Sequence, residues 1–175
     1  MKYSIRKVKA DYKYNSVKIA KLINYLMKNG KKMKSARNVY IALDKLKKLK
    51  KSKDVILLFE KILEKIICKY EIVKLKFGGA VYKCPIISTP FRRESIALRK
   101  IVKASRKIVR TKGINIAQAL FEELVNILDN SAISYKEKIA FDNMVKSNMS
   151  FADLFRTIQR YNKRFDITKT KHIGF

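Results

Sequence analysis

Eight cations, Arg92, Arg93, Arg99, Lys100, Lys103, Arg106, Lys107 and Arg110, crowd into one nineteen-residue stretch of the chain. Advancing about 100° per residue, as an α-helix does, places all eight within an arc of roughly 140°. Ala97, Leu98, Ile101, Val102, Ala104, Ile108 and Val109 fall on the opposite side, and Ile96 alone sits among the charges. A merely solvated face would intersperse signs, because like charges one turn apart repel by several tenths of a kcal/mol. A stripe of one sign suits a different task, the neutralisation of phosphates, which gives an affinity that falls steeply with salt and reads little sequence.

Two further basic segments support that reading. KNGKKMKSAR, residues 28–37, carries Lys28, Lys31, Lys32, Lys34 and Arg37 without an acidic residue, and the N-terminal tail 1–14 adds Lys9 and Lys13. Interleaved aromatics, Tyr12, Tyr14, Phe77, Tyr82 and Phe91, are of the type that stacks on unpaired bases, although cross-strand packing is as good an account of Tyr82. RNA helices hide their base edges in a deep major groove, so such a protein is expected to recognise shape, loops and backbone.

The elements that must position these residues are nearly all helical. Ile19, Leu22, Ile23 and Leu26 predict a helix over residues 16–29, with Gly30 as its stop. A second is expected from about Lys34 to Lys51, with Ala36, Val39, Tyr40, Leu43 and Leu46 inward. A third follows the cap candidates Ser52 and Asp54 through DVILLFEKILEKIICK, apolar enough to be central to the core. Then the period changes to two: YEIVKLKF and AVYKCPII read as strands, and Gly78-Gly79 accepts the positive φ of a tight turn between them. A hairpin of two strands is marginal in water and must lean on helices or a partner. Thr89-Pro90 restarts helix, and Asn115 with Gln118 and Ser134 with Glu137 are reciprocal-cap patterns for helices over Ile116 to Leu128 and Tyr135 to about Ser150, with continuation through Phe155 left open. The expected fold is mainly α, six helices with one β-hairpin at about 70–88 between the third and fourth, within a domain 15–156 followed by a basic extension 157–175.

Composition sets the partner class. In 175 residues, Lys and Arg total 42 against 14 acidic residues, giving +28 at pH 7, and 47% hydrophobic residues suffice for a core. That charge calls for an extended anion: nucleic acid first, with an anionic membrane surface or compacted DNA as alternatives. No window approaches the roughly twenty apolar residues of a membrane span. The N-terminus lacks a secretory or import pattern. Enzymatic acid-base work calls on His or paired carboxylates, whereas His172 lies in the tail and Glu122 and Glu123 are expected on helix surfaces. Cys68 and Cys84 read as buried reduced thiols in preference to metal ligands. No catalytic residue, metal or cofactor is therefore expected. The abundance of Lys, Ile, Asn, Tyr and Phe with no Trp fits an AT-rich genome.

Five segments together carry a resemblance: NSVKIAKLINYLMKNGKK, SARNVYIAL, FGGAVYKCPI, PFRRESIALRKIVKASRK and NMVKSNMSFADLFR. In this order, from about Tyr14 to Arg156, they resemble the small-subunit ribosomal protein seven family of bacterial and organellar type. Lys18 and Asn38 depart from it, standing where the family usually has apolar residues, and Asp153-Leu154-Phe155 replaces its usual Ala-His-aromatic ending. The resemblance implies a six-helix bundle with a protruding hairpin. It implies binding to the 3′ major domain of small-subunit rRNA through Lys31, Lys32, Lys34, Arg37 and the stripe from Arg92 to Arg110, and a part in head assembly. The hairpin tip, Lys76, Phe77, Gly78 and Gly79, would lie near exit-site tRNA and the mRNA exit. Neighbouring small-subunit proteins would be further partners, with neither membrane nor small-molecule substrate. Composition, basic extension and N-terminus together suggest a mitochondrial ribosome, with plastid or bacterial cytoplasm as alternatives.

Overall fold

Pro90 has no amide hydrogen to lose and a φ already near the helical value, so it opens the longest helix among the described residues without cost. The computed structural model, which describes residues 8–51, 54–77 and 79–153, contains α1 (Val17–Leu26), α2 (Lys32–Lys50), α3 (Val55–Ile66), β1 (Tyr70–Phe77), β2 (Ala80–Ile87), α4 (Pro90–Lys112), α5 (Ile116–Leu128) and α6 (Ile133–Ser147), then a 3-10 turn at Met149–Phe151. The six helices and the hairpin between the third and fourth agree with the sequence-based expectation.

Two compact units divide these elements. Residues 8–67 and 90–138 form the first. Its core joins Leu22, Leu43, Phe59, Ile62, Leu98 and Leu120, one or two from each of α1 to α5, all essentially without solvent exposure. Fully burying such a side chain contributes about 1.5–3 kcal/mol. Ahead of α1, buried Asp11 folds the chain into a turn, accepting from the amides of Tyr14 at 2.9 Å and Ser16 at 2.8 Å. Lys18 reaches Glu60 on α3 at 2.6 Å, and that hydrogen bond raises its pKa.

The second unit comprises residues 68–89 and 139–153. Its strands pair antiparallel from Tyr70 opposite Ile87 to Phe77 opposite Ala80, leaving two residues for the turn. Gly79 takes φ +85°, a left-handed value at which any other residue is strained. Gly78 lies outside the described residues, as do Ser52, Phe155 and His172. Pro85 is tolerated in β2 because both strands of a two-stranded sheet are edges. Tyr82 packs on Phe151, ring centroids 5.3 Å apart.

Helix ends are where expectation and structure part. α1 stops at Leu26, three residues short of Asn29: Met27 turns extended at ψ 139°, and the Arg106 guanidinium takes the freed carbonyls of Tyr25 at 3.0 Å and Leu26 at 3.4 Å. α2 starts at Lys32 and ends at Lys50, where Lys51 turns left-handed at φ +46°. α3 ends at Ile66, so Cys68 follows the helix, and α6 ends at Ser147. Ser134 is not a cap: it lies inside α6 and donates its amide at 2.9 Å and its hydroxyl at 2.6 Å to Oε1 of Glu123. Glu123 is accordingly buried, not on a surface, and its Oε2 has no partner among the described residues. Asn115 does cap α5 through the amide of Ala117, but Gln118 accepts from Lys45 at 2.7 Å instead of reaching back.

Removing a donor from a buried carboxylate costs about 1–3 kcal/mol or more. Ser134→Ala is therefore expected to lower the urea-unfolding free energy by that amount with an unchanged slope, and a loss below about 0.5 kcal/mol would disprove the tie.

Candidate nucleic-acid interface

α4 presents its charges as the wheel requires. Arg92, Arg99, Lys103, Lys107 and Arg110 are exposed, and Arg93, Lys100 and Arg106 are half-buried. Among the described residues, no carboxylate lies within ion-pair distance of Lys103, Lys107 or Arg110. Arg106 is different in kind, because its guanidinium is engaged at the carboxyl end of α1. There it fixes the α1 end and still contributes charge to the surface.

Two clefts flank this side of α4. One, of about 600 Å³, is lined by Tyr25, Arg99, Val102, Lys103, Arg106, Lys107, Arg110 and Glu137. The other, of about 320 Å³, involves Lys28, Asn29, Lys31, Lys34, Ser35 and Asn38 from the α1–α2 turn and α2, with Arg106 and Arg110 again. The turn that brings these lysines together is left-handed at Asn29 (φ +50°) and Gly30 (φ +71°). Lys31, Lys32 and Lys34 then stand at the amino end of α2, where no acidic residue occupies the first turn and no side chain caps it. Cations there oppose the helix dipole, and an anion bound among them would relieve both.

Other candidates fall elsewhere. Lys9 is exposed, as are Lys28, Lys32 and Arg37. Lys13 turns inward to Asp44 at 2.6 Å and lies over the rings of Tyr14 and Tyr40. Tyr14 donates to Asp44 at 2.7 Å and packs edge-on against Tyr40, so its ring is not offered for stacking. Burial, and then that hydrogen bond, raise its pKa. Tyr12 is fully exposed. Phe91 is exposed, with the Lys21 ammonium 3.9 Å from its ring centroid. Of Lys76 and Phe77 only the backbone is described, and of Gly78 nothing.

Three participants were not expected. Lys21 is buried, 7% exposed, and pairs with Glu94 at 3.4 Å. It lies where α1 packs on α4, against Glu94 and Phe91 of that helix. Tyr25 and Glu137 complete the larger cleft; the sequence reading assigned the first no role and took the second for a cap. Burial pushes the Tyr25 phenol up, but hydrogen bonds from Ser95 and Arg99, with the charges of Arg99 and Lys21, bring it below its ordinary value. Cys68 and Cys84 are both buried and not joined in a disulfide, and burial pushes the Cys84 thiol up. Among the described residues, no cluster of His, Cys, Asp or Glu is placed to hold a metal, and no helix is long and apolar enough to cross a membrane.

The Asp44 cluster should show in acid. Burial raises its carboxyl pKa, but the hydrogen bonds from Lys13 and Tyr14 outweigh this and hold it below the usual value. A depressed folded pKa stabilises above the unfolded value near about 4 and is lost as pH falls through the folded one. Being partly exposed, the cluster should contribute about 1 kcal/mol or less. Asp44→Asn should thus reduce stability at pH 6, and the gap from the unsubstituted protein should close below about pH 4 in denaturant titrations.

Comparison with known proteins yields one family. Its sequence model, described as ribosomal protein S7p/S5e, matches residues 1–149. Similar proteins include the small ribosomal subunit protein uS7 of Wigglesworthia glossinidia brevipalpis, 35% identical over 84% of this chain and 92% of the relative. That of Aeromonas salmonicida is 36% identical over the same shares, and that of Thermosipho africanus 36% over 85% and 93%. The chain therefore belongs to the ribosomal protein S7p/S5e family, whose members are structural, non-enzymatic components of the small ribosomal subunit that bind rRNA.

Proposed function

We propose that this chain binds the 3′ major domain of small-subunit rRNA through α4 and the α1–α2 turn, and supports assembly of the subunit head. The observation that carries this reading is the uncompensated row Lys103, Lys107 and Arg110 between two basic clefts. Arg92, Arg93, Arg99 and Lys100 extend it along the helix, and Lys28, Lys31, Lys32, Lys34 and Arg37 extend it beside the second cleft. Lys9 adds a peripheral charge. Lys13 is left out because Asp44 already holds it. The mechanism is phosphate neutralisation with shape complementarity, and no bond is made or broken.

The hairpin tip, Lys76, Phe77, Gly78 and Gly79, is proposed to lie near exit-site tRNA and the mRNA exit. The two-residue turn supports this, because it ends the strands in a narrow tip. Other small-subunit proteins adjoin the chain in the same proposal. For location we propose a mitochondrial ribosome, supported by a composition rich in Lys, Ile, Asn, Tyr and Phe and without Trp. The bacterial source of the relatives named above supports the alternative, bacterial cytoplasm. Co-sedimentation of the protein with mitochondrial ribosomes in fractionated cells decides between them.

Replacing Lys103, Lys107 and Arg110 by Gln removes three charges and no internal contact. Binding to the 3′ major domain fragment should weaken, and the slope of log affinity against log salt should fall by about 2–3, roughly one per phosphate contact. Unchanged affinity and slope would refute the reading. Arg106→Gln is the contrasting variant, expected to lower the melting temperature because it frees the α1 carbonyls.

A further inference from the structure

The larger cleft contains one residue that phosphate binding does not explain. Glu137 lines it among five cations, Arg99, Lys103, Arg106, Lys107 and Arg110, and makes no ion pair among the described residues. Nor does it serve its helix. The capping partner it would have had, Ser134, gives both its donors to Glu123. A carboxylate beside a phosphate track weakens the track by like-charge repulsion. Its presence asks for something on the ligand that donates hydrogen bonds, since an ionised carboxylate only accepts.

The rest of the cleft narrows the donor. Tyr25 and Val102 supply an apolar wall, and the Arg99 guanidinium lies 5.2 Å from the Tyr25 ring centroid. Aromatic rings and guanidinium planes are the surfaces on which proteins seat unstacked RNA bases, whose Watson–Crick edges are then read by side chains. A volume of about 600 Å³ is in the range of small-molecule sites, enough for one nucleotide with its phosphate on the lysines. Among the bases, guanine alone offers two adjacent N–H donors, N1 and N2, on that edge. Adenine and cytosine place an acceptor beside their amine, and uracil flanks its single N–H with two acceptors. A carboxylate accepts from the guanine edge in bidentate fashion and is repelled by the others.

We infer that this cleft takes one unstacked guanine nucleotide of the RNA, its base against Tyr25 and Arg99, its phosphate on Lys103, Lys107 and Arg110, and its Watson–Crick edge on Glu137. The inference rests on the RNA-binding reading of α4 and adds to it a single point of base selection.

Chemical footprinting on the 3′ major domain fragment separates the two. Kethoxal modifies N1 and N2 of unpaired guanines, and hydroxyl radicals report backbone contact. The unsubstituted protein should protect one unpaired guanine from kethoxal about tenfold or more. With Glu137→Gln that guanine should regain reactivity while the backbone footprint and salt slope persist. An identical kethoxal pattern with both proteins, or protection of no guanine inside an intact backbone footprint, overturns the inference. Absence of any backbone footprint with the unsubstituted protein overturns the RNA-binding reading itself. Should Glu137→Gln fail to fold, Glu137→Asp, which keeps the charge and shortens the reach, is expected to lose most of the guanine protection; full protection with it also overturns the inference.

Discussion

Fourteen carboxylates have to hold together a chain with forty-two basic side chains, and where they are used governs the rest of the molecule. Asp11 and Asp44 secure the segment before α1, Glu60 ties α3 to α1, Glu94 ties α4 to α1, and Glu123 ties α5 to α6. Glu122 pairs with Lys112 and Asp129 with Lys50 at the ends of helices. Ion pairs of this kind are individually weak when exposed, so the apolar core supplies most of the stability. Their placement still has a large effect: negative charge committed between helices is negative charge absent from the outer side of α4. The uncompensated basic surface is the residue of that distribution.

Arg106 shows how the interior and the interface meet. It lies on the charged side of α4, yet its guanidinium closes the end of α1, next to the turn that carries Lys28 and Lys31. The two clefts beside α4 share Arg106 and Arg110 as their common wall. One side chain thereby fixes the spacing between two basic surfaces that lie far apart in sequence. Coulombic attraction alone tolerates misplacement of a charge by an ångström or two. A guanidinium bonded to two carbonyls does not.

Much of this was legible in the residues. Both strands were read to their last residue, because a Gly-Gly turn between alternating segments leaves little freedom of register. The charged stripe of α4 needed only the helical period. Helix starts with local caps, Asp54 and Asn115, were readable for the same reason: the signal and the structure it specifies lie within three residues. What escaped depends on residues distant in sequence. The carbonyls at the end of α1 are taken by Arg106, eighty residues away, and the first turn of α6 is held by Glu123, eleven residues away. Lys21 is buried by a helix that nothing near it announces. Glu137 was misread because its local pattern is that of a cap, and only the diversion of Ser134 to Glu123 removes it from that role.

Other cations, too, close helix ends. Lys138 donates to the Lys65 carbonyl at the last turn of α3, and Lys65 in turn donates to the Leu128 carbonyl at the end of α5. With Arg106 on α1, three helices finish against a positive side chain borrowed from another helix, where glycine more often finishes them. Titration by a polyelectrolyte would not find forty-two equivalent sites. Those three charges are already answered by peptide dipoles, so an approaching anion meets a pattern of unanswered charge whose contour the backbone has drawn.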